Sequence, residues 1–328
     1  MKSISSTPRS YVYHMGELAL DLLKSGANGR ILAVFSKAIY LKTACGELLW
    51  LATHNIPMHR RGVQIQGPLP KVEAESAFFV EGRQLLLASH IVLDLGSAFA
   101  WEPPMRCTGQ LLPFQDLPDR LQGVTRLFDV FPSPTGFGSL IPEIARHTVG
   151  NHFPTVSSEY SIVLEHARPA LNEILLACIA NDFPRILTTA EDLIGLGYGL
   201  TPSGDDFVGG LLYTSLKIQS VYTDFQGFSP SNVKLLLDFS RNHTNLISYV
   251  LLQDHAFGHA SDTLHRFANA IIKDQYFERA RDLGLELTQS GHSTGWDILA
   301  GVWMALFLAV CSIKTPISAV TVSASGSQ

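Results

Sequence analysis

Along the first half of the chain, apolar residues come in short strand-like runs. Along the last half they recur at helical spacing. The run "RILAVFSKAIYLKT" is followed by "CGE" and then "LLWLATHN", which predicts a hairpin across Ala44 to Glu47. A second pair, "AFFVEG" and "QLLLASHIVLDLG", flanks the turn-like Glu81-Gly82-Arg83. Gly62, Gly67, Pro57, Pro68, Pro70, Pro103 and Pro104 punctuate the region, and strands this short point to a small barrel or sandwich. Tyr11 to Lys24 reads as one amphipathic helix ahead of the first strand.

Residues 132–158 are rich in Pro, Gly, Ser and Thr and read as a linker with one short helix. Beyond them the period changes. "EYSIVLEHARPALNEILLACIAND" is helical, and "PRILTTAEDLIG" opens on proline, as helices often do, and stops at Gly195. Further helical patterns cover 204–220, 231–256, 260–272, 275–290 and 294–313. The expected fold class is α+β, with a β-rich, barrel- or sandwich-like N-terminal domain followed by an all-α domain. The expected divisions are 1–155 with the linker, 156–314, and a flexible tail at 315–328.

Composition narrows the classes. A chain of 328 residues suggests about two domains, and 46% apolar with 16% charged residues supports a sizeable core. The 24 basic and 29 acidic residues leave a net charge of −5 with no basic stripe, which argues against nucleic acid. His59-Arg60-Arg61 is too short to read as a polyanion surface. Cys45, Cys107, Cys178 and Cys311 are far apart with no Cys-x-x-Cys, which fits a reducing cytosol better than a zinc ribbon or a disulfide framework. The polar N-terminus does not read as a signal peptide. The most apolar segment, Ile298 to Ile313, is 16 residues long, short of the roughly 20 a spanning helix needs. It reads as a buried core helix, so a cytoplasmic protein away from membranes is expected.

One segment is chemically dense. "GLGYGLTPSGDDFVGG", Gly195 to Gly210, places glycines at alternate positions, then Thr-Pro-Ser-Gly, paired aspartates and two more glycines. It has an echo in "SGHSTGWDILAGVW", Ser290 to Trp303. With Gly204 set against Gly295, Ser203 matches Thr294, Asp206 matches Asp297 and Gly210 matches Gly301. The plain structural reading is a capping box, in which Ser203 caps a helix and Asp206 reaches back. That leaves Gly195, Gly197, Gly199 and Asp205 unexplained, and leaves Asp205 with no structural duty. The functional reading is that a Gly-rich segment feeding a helix N-terminus favours an anion. The aspartates beside it would then bridge through Mg²⁺, pair with a distant Lys or Arg, or act as base or acceptor toward an amide. Both glycines should lie at helix N-termini, with the Asp206 and Asp297 regions facing one cleft.

Other motifs fail on context. Gly291 to Gly295 fits G-x-S-x-G, but a helical pattern precedes it and no histidine follows His292, so a serine hydrolase is rejected. The alternating glycines are not the G-x-G-x-x-G fingerprint, and no P-loop occurs. His255 and His259 have metal-pair spacing near Asp254, Asp262 and His265. Gly258 should end the helix between them, which favours a polar helix junction.

"GLGYGLTPSGDDFVGGLL", "TNLISYVLL" and "GHSTGWDILAGVW" together resemble a bacterial family that includes the AllH-type subunit of oxamate carbamoyltransferase. The resemblance is specific over about residues 195–303. It implies a subunit that works with two other protein types in anaerobic allantoin breakdown, where a carbamoyl group moves between oxalurate and phosphate to give oxamate and carbamoyl phosphate. On that reading the partners are the other carbamoyltransferase subunits and a small anionic substrate. The catalytic candidates are Asp205, Asp206 and His292. The substrate-binding candidates are Gly197, Gly199, Thr201, Ser203, Gly204, Ser293, Thr294, Gly295 and Asp297. Asp205 and Asp206 are the candidate ligands should Mg²⁺ be a cofactor. The alternatives are a non-catalytic assembly or ligand-sensing subunit, and a Mg²⁺-dependent hydrolase using the paired aspartates.

Overall fold

The structure, a computed structural model, describes residues 11–104, 110–129, 134–147, 161–273 and 276–313. The tail expected at 315–328, Cys107 and both ends of the expected linker, 132–133 and 148–158, lie outside them.

The N-terminal part is a single curled sheet of nine strands: β1 (Tyr11–Gly16), β2 (Asn28–Val34), β3 (Ala38–Thr43), β4 (Leu48–Thr53), β5 (Gly62–Gln66), β6 (Ala77–Glu81), β7 (Gln84–Leu87), β8 (Ile91–Asp94) and β9 (Phe99–Trp101). Their order is β8-β7-β6-β2-β3-β4-β5-β1-β9. Both expected turns join antiparallel neighbours, β3 to β4 and β6 to β7. The sheet curls into a half-barrel around a core that includes Val12, Met15, Ile31, Leu41, Val63, Val80 and Leu93. The expected helix over Tyr11–Lys24 does not form as one element. Its first half is β1, where buried Val12 sits between exposed Tyr11 and Tyr13, a period of two rather than 3.6. Only Glu17–Leu22 is helical, as α1.

The rest is helical: α2 (Leu117–Thr125), α3 (Ile141–His147), α4 (Ser161–Ala180), α5 (Phe183–Ala190), α6 (Ser203–Gln219), α7 (Pro230–Ser240), α8 (Leu246–Ala256), α9 (Asp262–Lys273), α10 (Glu278–Thr288) and α11 (Thr294–Ile313). With its nine-strand sheet the fold is α+β, as expected. One expected helix, 231–256, is broken. α7 ends at Ser240 and α8 begins after Asn245, whose side chain accepts from the Ile247 and Ser248 N–H groups as an N-cap. α11 is long and apolar enough to cross a membrane by length and composition, yet most of it is buried inside the helical core.

α6 and α11 pack on each other more extensively than any other pair of elements. The last glycine of each motif makes this approach possible. A Cβ on Gly210 would strike the Ile298 carbonyl, and one on Gly301 would strike the Phe207 carbonyl and sit 2.7 Å from the Leu211 nitrogen. The two helices are therefore in backbone contact just beyond their N-termini.

Sheet and helices meet at a second apolar cluster, Leu48 with Ile247, Tyr249 and Val250, against which Leu32, Tyr40 and Leu200 pack. Beside it lies a buried ion pair. Arg61 donates from Nη2 to Asp254 Oδ1 at 3.0 Å and from Nε to Asp254 Oδ2. Its Nη1 donates to Glu47 Oε2 at 2.7 Å and to the Leu48 carbonyl at 3.2 Å. Burial alone would lower the Arg61 pKa, but the bonds and charges of Asp254 and Glu47 outweigh it and hold the guanidinium charged.

A carboxylate pair between two helix N-termini

The Gly-rich loop ends at Pro202, the N-cap of α6. No side chain caps this end, and Ser203 is already the first helical residue. The capping box expected from Ser203 and Asp206 is therefore absent, and the roles of the paired aspartates differ from that expectation. Adjacent helical residues point about 100° apart. Asp205, 3% exposed, turns back toward the loop. Its Oδ1 accepts from the Gly195 N–H at 2.8 Å, and its Oδ2 accepts from Ser248 Oγ at 2.6 Å and from Thr244 Oγ1. Burial raises its pKa, against the opposing effect of these three bonds. Asp205 thus has a structural duty: it ties the loop, α6 and the break between α7 and α8 to one carboxylate.

Asp206 faces the other way, toward α11. Burial raises its pKa well above the ordinary carboxylate range, and the charge of Asp297 raises it further, with Thr201 and Thr294 acting in the opposite sense. Asp297 is fully buried and raised to about 7, chiefly by burial. The Phe137 N–H, donated to Asp297 Oδ1 at 2.6 Å, and the Ser203 and Ser293 hydroxyls pull it back. Thr201 Oγ1 and Thr294 Oγ1 are 3.1 Å apart and join the two motifs directly. Asp206 thus faces Asp297 of the other motif, and the Asp205 charge acts on it more weakly. Tyr40 of β3 also senses it: burial raises its phenol pKa, and the Asp206 charge adds to this.

Two carboxylates packed this way are costly. A helix dipole returns only about 0.3–1 kcal/mol to each. Among the described residues, three buried oxygens at the junction have no hydrogen-bond partner: Asp206 Oδ2, Asp297 Oδ2 and Ser203 Oγ. Buried polar groups normally find partners, so an unmatched trio calls for an explanation.

The other expected site residues divide between loop and rim. Gly195 (φ +78°) and Gly197 (φ +131°) are left-handed, and a Cβ on Gly197 would sit 2.5 Å from the Ser203 nitrogen. Gly199 is exposed, with open space around it. Several N–H groups expected to cradle an anion are spent inside the loop: Gly195 on Asp205, Leu196 on the Leu193 carbonyl, and Gly204 on the Leu196 carbonyl at 2.9 Å. Gly204 and Gly295 are the second residues of α6 and α11, each pressed on a preceding carbonyl, Leu193 and Leu287. Ser293 is buried and Thr294 half-buried, while His292 is exposed and its carbonyl accepts from Thr135 Oγ1 at 3.1 Å. The two regions expected to face one cleft meet. Asp206 and Asp297 are 5% and 0% exposed and sit at a closed junction.

Sequence reasoning missed three contributors. The Gly136–Phe137 turn wraps Asp297 so closely that a Cβ on Gly136 (φ +54°) would overlap the carboxylate. Its signal was "TGFG" inside a segment read as linker. Thr244 and Ser248 were noticed as a pattern without a role. Tyr40 carries no local signal.

The class of the protein follows from these features: an α+β protein whose helical part joins two related helix N-termini over a buried carboxylate pair. A family likeness over part of the chain follows from comparison. Residues 193–306 match the model of the family described as oxamate carbamoyltransferase subunit AllH, the family the motifs resemble. The matched stretch runs from the Gly-rich loop into α11 and contains Asp205, Asp206, Ser248 and Asp297. Tyr40, Arg61 and Phe137 lie outside it. That family is named for a subunit of oxamate carbamoyltransferase, and the word subunit implies other components in that enzyme. No solved structure matches the chain.

Proposed function

We propose that the chain is a subunit of a carbamoyltransferase that moves a carbamoyl group between a small oxamate-like acceptor and phosphate, and that the Asp206–Asp297 junction is its chemical centre. The observation that carries this reading is the convergence of both family motifs on one set of unpartnered buried oxygens, Asp206 Oδ2, Asp297 Oδ2 and Ser203 Oγ, which helix capping does not account for.

In the transfer, the amide nitrogen of the acceptor attacks the carbonyl carbon of carbamoyl phosphate. A C–N bond forms, the C–O bond to phosphate breaks, phosphate leaves with the electron pair, and the nitrogen gives up a proton. The reverse sequence is phosphorolysis of the carbamoylated product. Such chemistry needs donors aimed at the oxygen where charge develops and a base for the proton. The hydroxyls of Thr201, Ser203, Ser293 and Thr294 suit the first role and the carboxylates the second. Carbamoyl phosphate and the acceptor are both anions, which the two helix N-termini favour.

Burial supports a second reading. Carboxylates only 5% and 0% exposed suit a subunit that assembles or senses rather than catalyses. One experiment separates the two. The complex is reconstituted with Asp206→Asn or Asp297→Asn, and carbamoyl transfer to oxamate and phosphate release are followed. Catalysis at this junction predicts a loss of about 10²- to 10⁴-fold with assembly intact. A normal rate in both variants leaves the assembly reading.

A further inference from the structure

The same junction has the composition of a cation site. This inference rests on the junction being a ligand site, but not on carbamoyl transfer. Its donors are all hard oxygens: the carboxylates of Asp206 and Asp297, with the hydroxyls of Ser203, Thr201 and Thr294 around them. No histidine or cysteine stands among them, which disfavours zinc and the softer transition metals. Among the described residues, no basic side chain is among the groups that act on either carboxylate.

Asp205 shows what a satisfied aspartate looks like in the same helix turn, with three donors on its two oxygens. Asp206 and Asp297 each keep one oxygen without a donor. Ser203 Oγ, on a residue only 1% exposed, also has no hydrogen-bond partner and sits close enough to Asp297 to act on it. A hydroxyl oxygen beside two carboxylate oxygens is a set of hard oxygens that a small cation can bridge. A Mg²⁺-type ion takes one or two carboxylates and leaves its remaining positions to water or phosphate oxygens. That habit fits a junction where only two carboxylates meet and two helix N-termini favour an anion nearby.

We infer that Asp206, Asp297 and Ser203 together bind a divalent cation of the Mg²⁺ class. Asp205 is not a ligand.

The test uses the full chain without substrate or partner subunits. Mn²⁺, an EPR-visible stand-in for Mg²⁺, is titrated into the wild type and into Asp206→Asn, Asp297→Asn, Ser203→Ala and Asp238→Asn, the last an exposed control on α7. The expected result is about one bound Mn²⁺ per chain, displaced by excess Mg²⁺. Affinity should fall at least about 10-fold in either Asp→Asn variant and less in Ser203→Ala, and stay unchanged in Asp238→Asn. Mg²⁺ should raise the wild-type Tm and lose that effect in the Asp→Asn variants. Ser203→Ala keeps both carboxylates, so it reports on the site even where an Asp→Asn variant misfolds. Absence of Mn²⁺ binding to the wild type, or equal binding by folded Asp206→Asn and Asp297→Asn, overturns the cation site. If the reconstituted enzyme still loses transfer in those variants, the proposed function stands without it.

Discussion

Asp205 and Asp206 are neighbours with opposite fates, decided by where α6 begins. With Pro202 as N-cap, Asp205 turns onto Gly195, Thr244 and Ser248, and Asp206 turns onto Asp297. Asp205 should therefore behave as a structural residue. Asp205→Ala removes the acceptor for three hydrogen bonds in a buried setting, and donors left unpaired there cost about 1–3 kcal/mol each. The expected loss is at least about 3 kcal/mol, read from the midpoint of urea unfolding. Asp205→Asn, which keeps one carbonyl oxygen, should lose about 1–2 kcal/mol. An unshifted midpoint in the alanine variant would free Asp205 from its structural role.

At the scale of elements, the motifs repeat because two helices solve one packing problem in the same way. Each enters on a tight turn and presses its second residue, Gly204 or Gly295, against a preceding carbonyl. Each then meets its partner through the glycine six residues later, Gly210 or Gly301. The helices must approach this closely for Asp206 and Asp297 to share one environment. Gly301→Ala places a methyl against the Phe207 carbonyl and the Leu211 nitrogen, both backbone atoms that cannot rotate away. Overpacking of this kind costs about 1–3 kcal/mol or more. A lowered thermal midpoint is expected in Gly301→Ala and in Gly210→Ala, each checked by calorimetry. A midpoint within a degree of wild type would mean that the α6–α11 contact gives way easily.

Across the whole molecule, the sheet is held to the helices through α8. That helix carries Ser248 near its start, bonded to Asp205, and Asp254 near its end, bonded to Arg61 of the sheet. The Arg61–Asp254 pair is buried, with both residues no more than 6% exposed. Removing one partner of such a pair costs about 3–5 kcal/mol when the charge is left alone, and Arg61 keeps only the half-exposed Glu47. Asp254→Ala should show that loss in chemical denaturation. Replacing both residues with apolar side chains of similar size, Arg61→Met with Asp254→Leu, should recover much of it, because the isolated charge is the main penalty. A double variant no better than the single one would assign the pair a positive role beyond neutralising its own burial.

Much of this was legible in one dimension. The sheet's hairpins, the change of period to helices, the buried character of Ile298–Ile313 and the kinship of the two glycine motifs all follow from local periodicity and turn chemistry, which act over a few residues. The α+β class followed from that pattern. The misreadings have one cause in common. Tyr11–Gly16 became a strand because β5 and β9 flank it, and 231–256 split because Asn245 found N–H groups to cap. Asp205 became structural because Thr244 and Ser248, about forty residues away in sequence, fold onto it. The pairing of Asp206 with Asp297, and the Gly136 turn against Asp297, likewise join positions 91 and 161 residues apart. Local sequence determined which segments would coil or extend and which would bend sharply. Tertiary packing alone decided which carboxylate is satisfied and which is left waiting for a charge, because a buried group's partners come from wherever the chain returns.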